Sequence, residues 1–109
     1  MLKIPGVSAG LLEKLKRFKR KLARRYGVKT FLLFGSRARG DHLENSDVDV
    51  LVVGEGFRGI SFPRRLSDVS ELWMDVPSIE ALCYAPEEFA RLKNQSYVVR
   101  AAVREGISV

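Results

Sequence analysis

The chain has 109 residues, 46% hydrophobic and 29% charged, which suits one domain, residues 1–109, with a single modest core. One cysteine and one histidine exclude an internal disulfide, a Cys-rich or His-based zinc site and a Ser-His-Asp triad. The net charge of +6 favours polyanions: nucleotide phosphates, nucleic acid or an acidic protein surface. No apolar run is long enough to span a membrane, and the opening Met1-Leu2-Lys3-Ile4-Pro5-Gly6 is too short and broken for a signal peptide, so a cytoplasmic protein is expected.

Ser8 reads as the N-cap of a first helix running to about Tyr26, with Gly27 as its left-handed cap. Leu11, Leu15, Phe18 and Leu22 recur at helical spacing as its buried stripe, while Lys14, Lys16, Arg17, Lys19, Arg20, Lys21, Arg24 and Arg25 make the other faces basic. Thr30–Phe34 is a short apolar run bounded by glycines and predicts a buried strand; Asp47–Val53 predicts a second, ended by Gly54 and Gly56. Gly54 to Gly59 reads as a flexible connection. Phe62, Leu66, Val69 and Trp73 predict a helix that ends before Pro77. Ser78–Tyr84 is a third strand. Pro86, with Glu87 and Glu88 at the positive dipole end, opens a last helix with Phe89, Leu92, Ser96, Val99 and Val103 on one face, stopped by Gly106. Ile107-Ser108-Val109 is an extended tail. The pattern αβαβαβα predicts an α/β (α+β) fold, a small sheet with helices packed on it. Cys83 is expected to be a small buried hydrophobe, His42 a solvated loop residue, and Trp73 and Tyr97 core or interface residues, with core the default at helical spacing.

Three short segments carry chemistry. Asp47 and Asp49 stand two apart at the start of an apolar strand, so both carboxylates point to one face. Like charges there repel and resist desolvation, and a divalent cation such as magnesium relieves both costs. Asp-x-Asp taken alone is more often a solvated turn or a helix cap than a metal site. Gly35-Ser36 follows the first strand directly; glycine permits a tight turn, and a short helix starting here would offer amides and the Ser36 hydroxyl to a phosphate, with Arg37 and Arg39 adding charge-assisted contacts. Glu80 is a carboxylate in mid-strand, either the third member of a metal site or a glutamate at a solvated sheet edge.

Gly35-Ser36, ten intervening residues, then Asp47-Val48-Asp49, with strands on both sides, resembles the signature of the polymerase-beta-like nucleotidyltransferase superfamily. The fuller string Gly35-Ser36-Arg37-Ala38-Arg39-Gly40, continuing to Ser46-Asp47-Val48-Asp49-Val50-Leu51-Val52, is similar to its minimal nucleotidyltransferase (MNT) branch. The stretches from Glu80 to Phe89 and from Arg104 to Ile107 also look like that family's later segments, so the similarity runs over nearly the whole chain. The resemblance implies a mixed sheet of three to four strands. It implies that Asp47, Asp49 and Glu80 are catalytic and hold two Mg2+ ions, and that Gly35 and Ser36 hold the triphosphate of ATP. The family more often has Asp at the third carboxylate position; Glu80 is one methylene longer.

The family reaction moves a nucleoside monophosphate from a triphosphate to an acceptor hydroxyl. Similar small MNT proteins are paired with a HEPN-domain toxin, to one of whose tyrosines they transfer AMP as antitoxins. That is the function the resemblance implies: Mg-dependent protein adenylylation by an enzyme that takes its acceptor from a partner. Two other readings stand beside it. One is a non-catalytic antitoxin that neutralises its partner by binding; the other is a nucleic-acid-binding module that uses the basic first helix. Homo-oligomerisation and base preference are left open.

Overall fold

The computed structural model describes residues 3–109; Met1 and Leu2, the start of the segment judged too short for a signal peptide, lie outside the described residues. The first helix, α1 (Ala9–Tyr26), forms as its sequence demands. The Ser8 hydroxyl accepts from the Leu11 amide at 3.1 Å, and Gly27, at φ 65°, returns its amide to the Ala23 carbonyl. Leu11, Leu15, Phe18 and Leu22 are all buried.

Strands β1 (Val28–Phe34), β2 (Val48–Gly54), β3 (Ile79–Tyr84) and β4 (Ile107–Ser108) form one sheet in the order β3-β2-β1-β4. β1 runs antiparallel to β2 and to β4, and β2 runs parallel to β3, which is the expected mixed sheet with the C-terminal tail as its fourth strand. A short helix, α2 (Ser36–Arg39), leaves the end of β1; α3 (Phe62–Ser70), α4 (Pro86–Leu92) and α5 (Tyr97–Glu105) complete the layers.

One face of the sheet packs Phe31, Leu33, Val50, Val52 and Cys83 against α1, Val69 of α3 and Trp73. Phe18 meets Phe31 and Trp73 edge-on, with ring centroids 6.2 and 5.3 Å apart. The other face packs Leu51 and Val53 against Val99 and Ala102 of α5. β2 is thus covered on both faces, which explains its unbroken apolar run after Asp49. Cys83 is fully buried as expected, and burial pushes its thiol up to about 12.

Several sequence expectations are corrected. The connection after Gly54 is not a flexible loop: it forms a single 3-10 turn, Glu55–Phe57, because Phe57 is fully buried and stacks on Tyr26 at 4.3 Å. α3 ends at Ser70, short of Trp73, and Phe62 and Leu66 are partly exposed; Arg65 takes the buried position, paired with Glu88 at 2.7 Å and bonded to the Ile60 and Cys83 carbonyls. The last helix is two helices, since the Ser96 hydroxyl accepts from the Val99 amide at 3.2 Å and starts α5 afresh. That restart leaves Val103 and Tyr97 exposed and puts Ala102 in the core. Trp73 is in the core as expected, its indole donating to the Pro77 carbonyl at 2.9 Å. His42 is half-buried rather than solvated, its Nδ1 without a partner among the described residues. Among those residues, no helix is long and apolar enough to cross a membrane.

Ser8 is exposed and acts on α1 only through its cap. Ser8→Ala is expected to lower stability by about 1 kcal/mol in urea unfolding, with the m-value unchanged.

Candidate active site

The sheet register assembles the site. Parallel pairing of β2 with β3 sets Asp49 beside Glu80, and antiparallel pairing of β1 with β2 sets Phe34 opposite Asp49. Gly35 is the next residue after Phe34, so the turn out of β1 falls directly on the Asp49 carboxylate. Gly35 has φ 76°, and a Cβ there would collide with Asp49 Oδ2 and lie 3.3 Å from its Cγ. Glycine is required twice over, once by the left-handed backbone and once by the approaching carboxylate.

The turn runs straight into α2. The Gly35 carbonyl accepts from the amides of Ala38 at 3.1 Å and Arg39 at 3.2 Å, and Gly40 closes the helix with its amide on the Ser36 carbonyl at 2.8 Å. Ser36 is the first residue of this helix and half-buried. Gly35 therefore lies against the Asp49 carboxylate, with Ser36 next to it in the chain.

β2 begins at Val48, so Asp47 lies one residue outside the strand, exposed at the open end of the site. Glu80 is exposed on β3, an edge strand of the sheet. It is both a sheet-edge glutamate and the neighbour of Asp49. Asp49 is half-buried, and its carboxyl is pushed up to about 6. Burial is the main cause, followed by the charge of Glu80, a hydrogen bond shared with Glu80, and the charge of Asp47; Arg39 acts in the opposite sense.

Burial, and then the charge of Glu80, favour the protonated form of Asp49, and a divalent cation would offset the same charge. Among the described residues, no three His, Cys, Asp or Glu side chains are drawn together closely enough to hold a metal ion. The oxygen-only donors, open on one side, fit magnesium, which binds through one or two carboxylates and keeps its other positions for water and phosphate oxygens.

The two arginines of the motif part company. Arg37, expected to reach phosphate, is buried; its Nε donates to the Ser46 carbonyl at 3.1 Å, and its Nη1 and Nη2 donate to the Gly6 and Glu44 carbonyls, each at 3.3 Å. It staples α2 to the N-terminal turn and to the loop that delivers Asp47. Gly6 is pressed so closely on Arg37 that a Cβ would collide with its backbone. Nothing local announces this role, because the Gly6 partner lies 31 residues away. Arg39 is exposed and bonds Asp41 at 3.1 Å and Glu105 at 3.2 Å, pairs of the weak surface kind that exchange readily.

Comparisons with known proteins identify the family and the fold. Residues 15–107 match the family model described as nucleotidyltransferase domain. Two proteins of Methanocaldococcus jannaschii, each named "putative protein adenylyltransferase", are similar over short stretches. One is 57% identical over 28 residues, 26% of this chain and 28% of its own; the other is 45% identical over 40 residues, 37% of this chain and 46% of its own. The matched segments thus span less than half of those relatives. The solved structure of a putative nucleotidyltransferase from Sulfolobus solfataricus superposes with a TM-score of 0.61 at 24% identity, over 89% of this chain and 77% of that one, and so shares the fold.

Two outcomes are expected. In a carbon-detected NMR titration without metal, the Asp49 carboxyl is expected to have a midpoint near pH 6, moving toward the ordinary range in Glu80→Gln. Its raised folded-state value means that the folded protein binds the proton more tightly than the unfolded chain, so stability falls as pH rises from about 4 to about 6 and then levels. Asp49→Asn is expected to flatten that slope and to raise stability at neutral pH. Separately, Arg37→Ala is expected to cost about 2–4 kcal/mol in denaturant unfolding, since it strands three carbonyls at once, and Arg37→Lys is expected to recover only part of the loss.

Proposed function

This chain belongs to the nucleotidyltransferase domain family, and on that premise we propose that it transfers AMP from ATP to a hydroxyl of a partner protein, with magnesium as cofactor. The observation that carries the reading is the register of β2 on β3, which sets Asp49 beside Glu80 at the Gly35-Ser36 turn. The names of the two archaeal relatives support a protein as acceptor. The acceptor we favour is a tyrosine of a HEPN-domain toxin, which would make this chain an adenylylating antitoxin.

In this reading Asp47, Asp49 and Glu80 hold the magnesium ions. When bound, these ions supply positive charge to the phosphates and acidify the acceptor hydroxyl. Glu80, exposed on the edge strand, receives the acceptor from solvent and takes up its proton. The acceptor oxygen forms a bond to the α-phosphorus as the α–β anhydride bond breaks, and pyrophosphate leaves with the electron pair. Ser36 and the amides at the start of α2 orient the β- and γ-phosphates as that charge develops. Arg39 is placed to exchange Asp41 or Glu105 for a phosphate oxygen, while Arg37 holds the turn in position.

Incubation with magnesium, α-labelled ATP and a purified HEPN-domain partner is expected to label the partner. Asp47→Ala/Asp49→Ala is expected to abolish the label, and Glu80→Gln to slow transfer about 100-fold or more with complex formation unchanged. A stable complex in which neither protein acquires label would sink the catalytic reading in favour of neutralisation by binding.

A further inference from the structure

The positive charge of this chain is gathered on one element. α1 holds eight of the 19 lysines and arginines and one of the 13 acids, Glu13, so the remaining residues, with 11 cations and 12 acids, are nearly neutral. Charge that serves solubility alone is spread over a surface with both signs interspersed. Here the net charge of +6 belongs to a single 18-residue helix. Its cations fall into two sets. Lys14, Lys19 and Lys21 are tied into the fold, donating to the carbonyls of Val76, Val109 and Leu72 at 3.4, 2.7 and 3.5 Å. Arg17, Arg20 and Arg24 recur at i, i+3 and i+7, which puts them on the face opposite the buried Leu15, Phe18 and Leu22. All three are exposed, and among the described residues none of them meets an acid or a carbonyl. Like charges at this spacing repel, so the stripe is unfavourable to the helix until an anion covers it.

The rest of that face selects among polyanions. The apolar stripe of α1 is spent on the core, so the helix has no apolar side to lay into a membrane. Its aromatics, Phe18 and Tyr26, are buried, which leaves the outer face without the anchors that a protein interface uses and without a platform on which unpaired bases could stack. What remains is a straight rod about 27 Å long that offers charge alone. An α-helix is about 10–12 Å across and the major groove of a B-form duplex about 12 Å wide, whereas the groove of A-form RNA is too narrow to admit it. Charge and shape together fit the phosphate-lined groove of duplex DNA.

We propose that the exposed face of α1 is a docking surface for duplex DNA, held through phosphate contacts from Arg17, Arg20 and Arg24 and indifferent to base sequence. α1 packs on the face of the sheet opposite Asp49, so this surface is independent of the transfer reaction proposed above.

The test is fluorescence anisotropy of a short labelled DNA duplex of arbitrary sequence, titrated with the full chain in the absence of magnesium and nucleotide. Binding is expected at about 0.05 M salt, with log affinity falling against log salt at a slope of about −2.7 for three neutralised phosphates. Arg17→Gln/Arg20→Gln/Arg24→Gln is expected to flatten that slope and to weaken binding on the order of 100-fold at about 0.1 M salt. Arg91→Gln/Lys93→Gln/Arg100→Gln removes the same charge from exposed positions toward the other face of the sheet, and is expected to weaken binding less than about fivefold. Unlabelled duplex DNA is expected to compete at least about tenfold better than single-stranded DNA, duplex RNA or polyglutamate. No binding at about 0.05 M salt, an equal loss in the two triple variants, or any of those three competitors matching duplex DNA would overturn the proposal.

Discussion

A one-residue slip of β2 against β3 would set Val50 where Asp49 now stands and turn the carboxylate into the core beneath α1. The rest of the structure depends on that slip being forbidden. Val48, Val50 and Val52 are fully buried against the α1 side, and Leu51 and Val53 are buried against α5 on the other. With apolar side chains packed on both faces, exchanging the faces would bury Asp49 and repack both layers together. The register that seats the core is therefore the register that brings Asp49 to Glu80 and to the turn at Gly35.

The proposed site is a negatively crowded spot on a chain of net charge +6. Much of the positive charge is on the exposed side of α1, whose apolar stripe packs the opposite face of the sheet from Asp49. Arg39 acts against the repulsion at Asp49, and it is exposed and already shared with Asp41 and Glu105. In the proposed reaction a divalent cation would replace the proton at Asp49, whose carboxyl is pushed up to about 6.

Two buried arginines hold the irregular segments of this small domain. Arg37 gathers the carbonyls of Gly6, Glu44 and Ser46 around α2, and Arg65 gathers those of Ile60 and Cys83 together with the Glu88 carboxylate beside α3. Each satisfies its own donors and the carbonyls of turns that have no strand to pair with. The loop leading to Asp47 is held in this way, so the rigidity of the site does not come from the sheet alone.

The sequence by itself determined the first helix, the strands and the family resemblance. Ser8, Gly27 and the stripe from Leu11 to Leu22 specify α1, since caps and helical periodicity act over a few residues. The spacing from Gly35-Ser36 to Asp47 and Asp49, with strands around it, resembles the family's signature, and the family model matches residues 15–107. Only the tertiary structure decided how distant segments meet. Arg37 reads as a phosphate ligand until Gly6, far away in the chain, is folded against it. Phe62 and Leu66 read as core until Arg65 finds Glu88, and Tyr97 reads as core until Ser96 restarts the last helix. Glu80 reads equally as solvated edge or site residue until parallel pairing places it beside Asp49. Local patterns fix backbone conformation through short-range hydrogen bonds and sterics, whereas side-chain partners many residues apart are fixed by register and packing, which no local pattern encodes.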